Sequence, residues 1–193
     1  MWLQSTATTF FFLPARSTPL SIDVLVGLLG GTGVTDQVTG TGGTVAPGLS
    51  PGIITTGDLN LNGATTLLVE MDGPAAGAGY DQTAVVGSVT LGNPTLDIDL
   101  TFAPAEGAAF VVVNNDGADP ILGTFTGMAQ GAIAVLDGQP FHVNYQGGDG
   151  NDLVLSFAPN GVPTMPTIVF TLLALLIATV VVMRLRRQTT AAV

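Results

Sequence analysis

Gly57 to Met71 reads GDLNLNGATTLLVEM, and Gly87 to Leu100 reads GSVTLGNPTLDIDL. The second stretch echoes the first at an offset of thirty residues with one gap: Leu59 and Leu61 fall on Val89 and Leu91, and Leu67 falls on Leu96. Periods of about 20–50 residues mark stacked units, each of which buries its apolar face only against a neighbour. The expected fold class is therefore all-β, with a β-solenoid as its architecture. An antiparallel β-sandwich stays open beside it, because Asn114 to Gly117 (NNDG) and Asp137-Gly138 both suit hairpin turns.

Outward from the echo, the same grammar continues from Gly30 to Phe157. Leu96, Ile98 and Leu100 alternate with Asp97 and Asp99, and Phe141, Val143 and Tyr145 alternate with His142 and Asn144. Leu153, Leu155 and Phe157 follow the same period of two, which places one face in a core and the other in water. Val111 to Val113 is a continuous β-branched run, expected of a strand covered on both faces. Gly, Asn, Asp and Pro punctuate these segments.

Composition limits the chemistry. The 193 residues hold 26 Gly, no Cys and one His, and only 9% are charged. Thiolate sites, disulfides and most catalytic metal centres are excluded on that count. Fourteen acids lie at or before Asp152, whereas three of the four Arg are Arg184, Arg186 and Arg187. Residues 1–160 thus carry −13 and residues 161–193 carry +3, together the −10 of the whole chain. An acidic chain without Lys offers no electrostatic footprint for nucleic acid.

The division of charge coincides with a division of hydropathy. Thr167 to Met183 (TIVFTLLALLIATVVVM) has no charge and no polar stripe, and as a helix it spans about 26 Å, enough to cross a bilayer core. RLRR follows at once, so the tail is expected in the cytoplasm and the acidic part outside. The expected segments are an uncertain N-terminal stretch (1–29), a β-domain (30–157), an extended linker (158–166), a transmembrane helix (167–183) and a basic tail (184–193). Met1 to Leu13 has no basic residue before its apolar stretch and makes a poor export signal, as a truncated or misassigned start would.

Motifs with chemical associations are few. Gly48 to Gly52 (GLSPG) matches a nucleophile elbow, but the oxyanion donor that should follow Ser50 is replaced by Pro51, which has no N–H. Gly147 to Leu155 (GGDGNDLVL) fits a calcium-binding nonapeptide once, with Asp149, Asn151 and Asp152 as candidate ligands. One copy supplies too few oxygens for the six to eight that calcium takes. A Gly-rich turn into the last strand is the simpler expectation, and no cofactor is expected. Nothing assembles nucleophile, base and orienting group, so the chain is not expected to be an enzyme.

Val45 to Leu61 (VAPGLSPGIITTGDLNL), Tyr80 to Leu91 (YDQTAVVGSVTL), Asn114 to Gly117 and Gly147 to Leu155, in this order, resemble the C-terminal part of autotransporter-like passenger regions and related bacterial surface proteins. The resemblance covers about residues 30–157 and implies a right-handed parallel β-helix displayed outside a Gram-negative-type cell. Val162-Pro163-Thr164-Met165, followed by the apolar helix and RLRR, is similar to a three-part C-terminal sorting signal of the IPTL type. That likeness implies an exosortase-like membrane enzyme as processing partner. Pro163 and Pro166 would keep the segment extended and accessible just outside the bilayer. The expected function is that of an exported structural or adhesive surface protein, anchored at least transiently in the membrane, with an unidentified surface ligand. A calcium-binding extracytoplasmic module is the alternative.

Overall fold

The computed structural model describes residues 2–4, 10–13 and 21–158. The chain divides between Pro159 and Asn160, and the described residues all belong to the first unit. The sorting motif at Val162 to Met165, the apolar segment 167–183 and Arg184, Arg186 and Arg187 lie outside the described residues. Among the described residues there is no helix, and so none that could cross a membrane.

The architecture is all-β. Its strands are β1 (Trp2–Gln4), β2 (Phe10–Leu13), β3 (Ser21–Val24), β4 (Leu28–Gly31), β5 (Val34–Gly40), β6 (Thr44–Pro47), β7 (Ile53–Asn62) and β8 (Thr66–Met71). They continue as β9 (Gln82–Val85), β10 (Val89–Gly92), β11 (Thr95–Leu100), β12 (Ala109–Asn115), β13 (Leu122–Thr124), β14 (Ile133–Leu136), β15 (Gln139–Gly147) and β16 (Asp152–Phe157). Up to β8 successive strands alternate between two sheets. One sheet runs β1-β3-β5-β7-β9-β12-β16-β15-β14, with β10 paired to β7 and β13 to β10; the other runs β11-β8-β6-β4-β2.

Every pair from β1 to β12 is parallel. Parallel neighbours need a crossover, and here each crossover carries a strand of the opposite sheet. Both sheets begin upstream of Gly30, because β3 and β4 pair with β5 and β6. The sequence echo is the register itself: Leu59 pairs with Val89, Leu61 with Leu91 and Leu67 with Leu96. All six side chains are buried, so the repeat exists because each residue covers its counterpart 29 or 30 positions on.

The C-terminal end changes direction. Strand β16 inserts antiparallel between β12 and β15, and β14 pairs antiparallel with β15. Of the two stretches that suit a hairpin turn, Asp137-Gly138 joins β14 to β15, with φ of 44° and 72° as a type I′ turn requires. Asn114 to Gly117 does not form one, because β12 turns to β16 and β9 for partners. The run Val111 to Val113 contains a bulge against β16; Val112 and Val113 are buried and Val111 is half-buried.

Phe110 in β12 lies at the centre of the core. Its ring meets those of Tyr80, Phe102 and Phe141 edge-on, with centroids 5.3, 5.9 and 6.3 Å away. Edge-to-face packing at these separations suits the ring quadrupoles. The parallel strands and the antiparallel end share one core, and the Phe110 ring touches residues of both.

Candidate functional site

Polar side chains cross between strands at the same spacing as the apolar ones. Asp58 Oδ1 accepts from the N–H and hydroxyl of Ser88 at 2.8 and 2.9 Å, and Thr101 donates to Asp72. Gln82 donates to the Val111 carbonyl at 2.8 Å, and Tyr80 Oη accepts from the Val111 N–H at 3.2 Å. In the shorter crossing from β5 to β7, Thr35 donates to Thr56 at 3.0 Å.

Asp81 is the most demanding of these groups and had no motif to announce it. Its side chain is 1% exposed, yet it accepts from the Gly52 N–H at 2.7 Å and the Glu70 N–H at 3.0 Å. Burial pushes its carboxyl up to about 6. The two N–H donors oppose that rise, and the charges of Glu70 and Asp72 add to it. Asp81 therefore holds the bend after β6 against the end of β8. The signal available in the sequence was a single acid following the core residue Tyr80 at the start of an apolar strand.

Ser50 sits in that bend, exposed, with φ of 71° and a cis peptide to Pro51. A cleft of about 310 Å³ beside it is lined mainly by Leu28, Ala46, Pro47, Leu49 and Leu68, with Glu70 at one side. The sole His lies far off: His142 is on β15, four strand positions from β7, or about 19 Å at the usual spacing. The structure does not bring Ser50 and His142 together.

The expected calcium ligands all sit at the turn between β15 and β16. Asp152 is 5% exposed, and its Oδ1 accepts from the Asn115 N–H at 2.8 Å. Asn151 Nδ2 donates to the carbonyls of Gly117 and Asp119 at 2.6 and 3.0 Å, and Asn115 Nδ2 donates to the same Asp119 carbonyl at 2.7 Å. Asp149 is exposed. Burial raises the Asp152 carboxyl; the Asn115 N–H lowers it and the Asp149 charge raises it further. Gly148 has φ of 58°, and a Cβ there would collide with Oδ2 of Asp152. The nonapeptide pattern is thus used to tie the turn to the loop 115–119. One Asp152 oxygen and the Asn151 amide nitrogen are engaged with protein, and among the described residues no three acids or His converge.

A polar surface also follows from register alone. Asp23 pairs with Thr39, Thr39 with Asn60 and Asn60 with Thr90, all half-buried or exposed. Their side chains form a row at about 4.8 Å per step. Thr41 and Asn62 flank it, and the shallow groove between them holds about 210 Å³. Such a row offers a carboxylate, hydroxyls and an amide to a flat partner.

Comparison of the chain with protein-family models, with curated proteins and with solved structures finds no match.

Proposed function

We propose that this chain is an exported bacterial surface protein whose strands wind as a right-handed parallel β-helix and serve a structural or adhesive role. A C-terminal membrane helix tethers it, and processing takes place within the sorting motif at Val162 to Met165. The observation that carries the reading is the coincidence of the thirty-residue echo with the parallel register, which makes each unit a floor for the next. Strands that alternate between two parallel sheets, and an outer row of Asp, Thr and Asn without catalytic geometry, also favour contact by area over a pocket.

The test is the C-terminal residue of the native protein, determined by mass spectrometry on inner-membrane, outer-membrane and medium fractions. A terminus between residues 162 and 166 in the outer or secreted fraction is expected. An intact Val193 confined to the inner membrane would overturn processing and leave a tethered periplasmic protein.

The calcium reading is favoured by one observation: Oδ1 of Asn115, the residue bonded to Asp152, is buried without a hydrogen-bond partner. Melting with and without millimolar calcium decides it, because an ion bound only by the folded form raises the midpoint. An unchanged midpoint removes this alternative.

A further inference from the structure

The two sheets end differently. Strand β11 closes one sheet with Asp97 and Asp99 exposed on it, and Asp137 Oδ2 accepts from its Leu100 N–H at 3.1 Å. Charged residues on an edge strand are the usual defence against pairing with another chain. Strand β14 closes the other sheet and carries no charge, no Pro and no bulge of its own. Ile133 and Val135 on it are 59% and 71% exposed.

The backbone of β14 has a free side. Leu136 and Gln139 flank the two-residue turn as a hydrogen-bonded pair, so Val135 and Pro140, next along, are a non-bonded pair. The Pro140 carbonyl confirms the alternation, because it accepts from the Ala158 N–H on the β16 side. The N–H and C=O groups of Val135 and of Ile133 therefore point away from β15, where no strand among the described residues pairs with them.

We propose that β14 pairs edge to edge, antiparallel, with β14 of a second copy of this chain, about a two-fold axis through Ala134. In that register Ile133 of each copy faces Val135 of the other. The four outward N–H groups meet four outward carbonyls, and the β-branched side chains lie together on one face. An isologous contact requires a self-complementary patch, and the sequence Ile-Ala-Val is one about its centre. Charge selects the same arrangement. Residues 1–160 carry −13, so two copies approach most easily through an uncharged strip, and 129–136 is such a strip. The two Asp137 carboxylates then lie about 20 Å apart along the strand axis, beyond the screening length at physiological salt. Four side chains and four hydrogen bonds fall far short of the roughly 1,200 Å² that a standard stable complex buries, so the pairing is weak and depends on concentration.

The full chain lacks Cys, which gives a clean test. Ala134→Cys places two thiols opposite one another at a Cα separation of about 4.5 Å, within disulfide reach. With added copper–phenanthroline as oxidant, two thiols lose their protons and two electrons to form a disulfide only where the strands meet. The expected result is a covalent dimer of the full-length protein in intact cells, at a yield well above that of Leu49→Cys, an exposed control on the opposite part of the sequence. Val135→Pro removes an outward N–H without touching the β15 ladder. It is expected to cut the cross-linking yield of Ala134→Cys, and the association constant of the Cys-free chain in sedimentation, by about tenfold or more. Equal yields from Ala134→Cys and Leu49→Cys, a disulfide to a different protein, or sedimentation unaffected by Val135→Pro would each overturn the proposal.

Discussion

The parallel strands from β3 to β12 and the antiparallel end from β12 to β16 satisfy their buried polar groups in different ways. In the parallel region several partners sit at 29 to 31 residues, as in Asp81 with Gly52, Asp58 with Ser88 and Tyr80 with Val111, and Thr35 with Thr56 makes a shorter crossing of 21. In the antiparallel end they cluster on two loops: Asn115, Asn151 and Asp152 gather residues 117–119, and Tyr145 gathers 125–128. The first arrangement repeats along the sheet, whereas the second occurs once and terminates it. The antiparallel strands cover apolar surface at the end of the parallel strands, where Phe141 of β15 packs against Phe110 of β12.

The sharpest break is at the side chain common to both regions. Phe110→Ala leaves a cavity where Tyr80, Phe102 and Phe141 now meet, and is expected to cost about 3–5 kcal/mol. Because β12 belongs to both regions, denaturant unfolding monitored by near-UV and far-UV circular dichroism should remain one transition with a lower midpoint. Two separated transitions would show that the regions are independent.

Next in size is the clamp at the end. Asp152→Ala leaves the buried Asn115 N–H without its acceptor and is expected to cost about 1–3 kcal/mol. Hydrogen exchange should show the loss at residues 115–119 and not at Gly52 or Glu70. An equal rise in exchange across both regions would mean that the clamp is not local.

Asp81 provides the matching test in the parallel region, with a distinct pH signature. Its folded carboxyl titrates at about 6 against an ordinary value of 3.8, so between these values the folded state binds more protons than the unfolded chain. The contribution of Asp81 to stability therefore rises as pH falls from about 6 toward 4, and it is least favourable above 6. Asp81→Asn removes this slope and also exchanges one acceptor oxygen for an amide facing an N–H donor, at a cost of roughly 1–3 kcal/mol at pH 7. Melting at pH 7 and at pH 5 should show the wild-type advantage over Asp81→Asn growing at the lower pH. An advantage that shrinks would reverse the assignment.

These residues also show what the sequence could reveal. The echo of Leu59, Leu61 and Leu67 in Val89, Leu91 and Leu96 was legible because apolar side chains stack on their own counterparts, so register leaves a trace in composition. Asp97 and Asp99 were legible because alternation encodes which face is wet. Asp81 was not, since its role depends on two backbone N–H groups, and backbone donors have no residue type. Asn151 and Asp152 stood out by a spacing that suggests an ion and equally suits a turn that binds the neighbouring loop. The turn at 114–117 was misplaced because Asn, Asp and Gly favour a bend without choosing its strand partner.

The smallest expected effects distinguish the regions by their tyrosines. Tyr145 Oη accepts from the Phe125 N–H and donates to the Met128 carbonyl, both at 2.9 Å, whereas Tyr80 Oη accepts only a longer bond of 3.2 Å from the Val111 N–H. Burial raises both phenols, so each stays neutral and able to donate through the physiological range. Tyr145→Phe strands a buried N–H and a carbonyl and is expected to cost about 1–2 kcal/mol; Tyr80→Phe loses one weak bond at a bulge and should cost less than about 1 kcal/mol. The ranking follows from what each hydroxyl has to hold: Tyr145 is the tie for a loop with no repeat behind it, whereas Tyr80 supports a strand already fixed by β9 and β16. Urea unfolding of the two variants checks it, and a larger loss at Tyr80 would mean that the bulge in β12 depends on that hydroxyl.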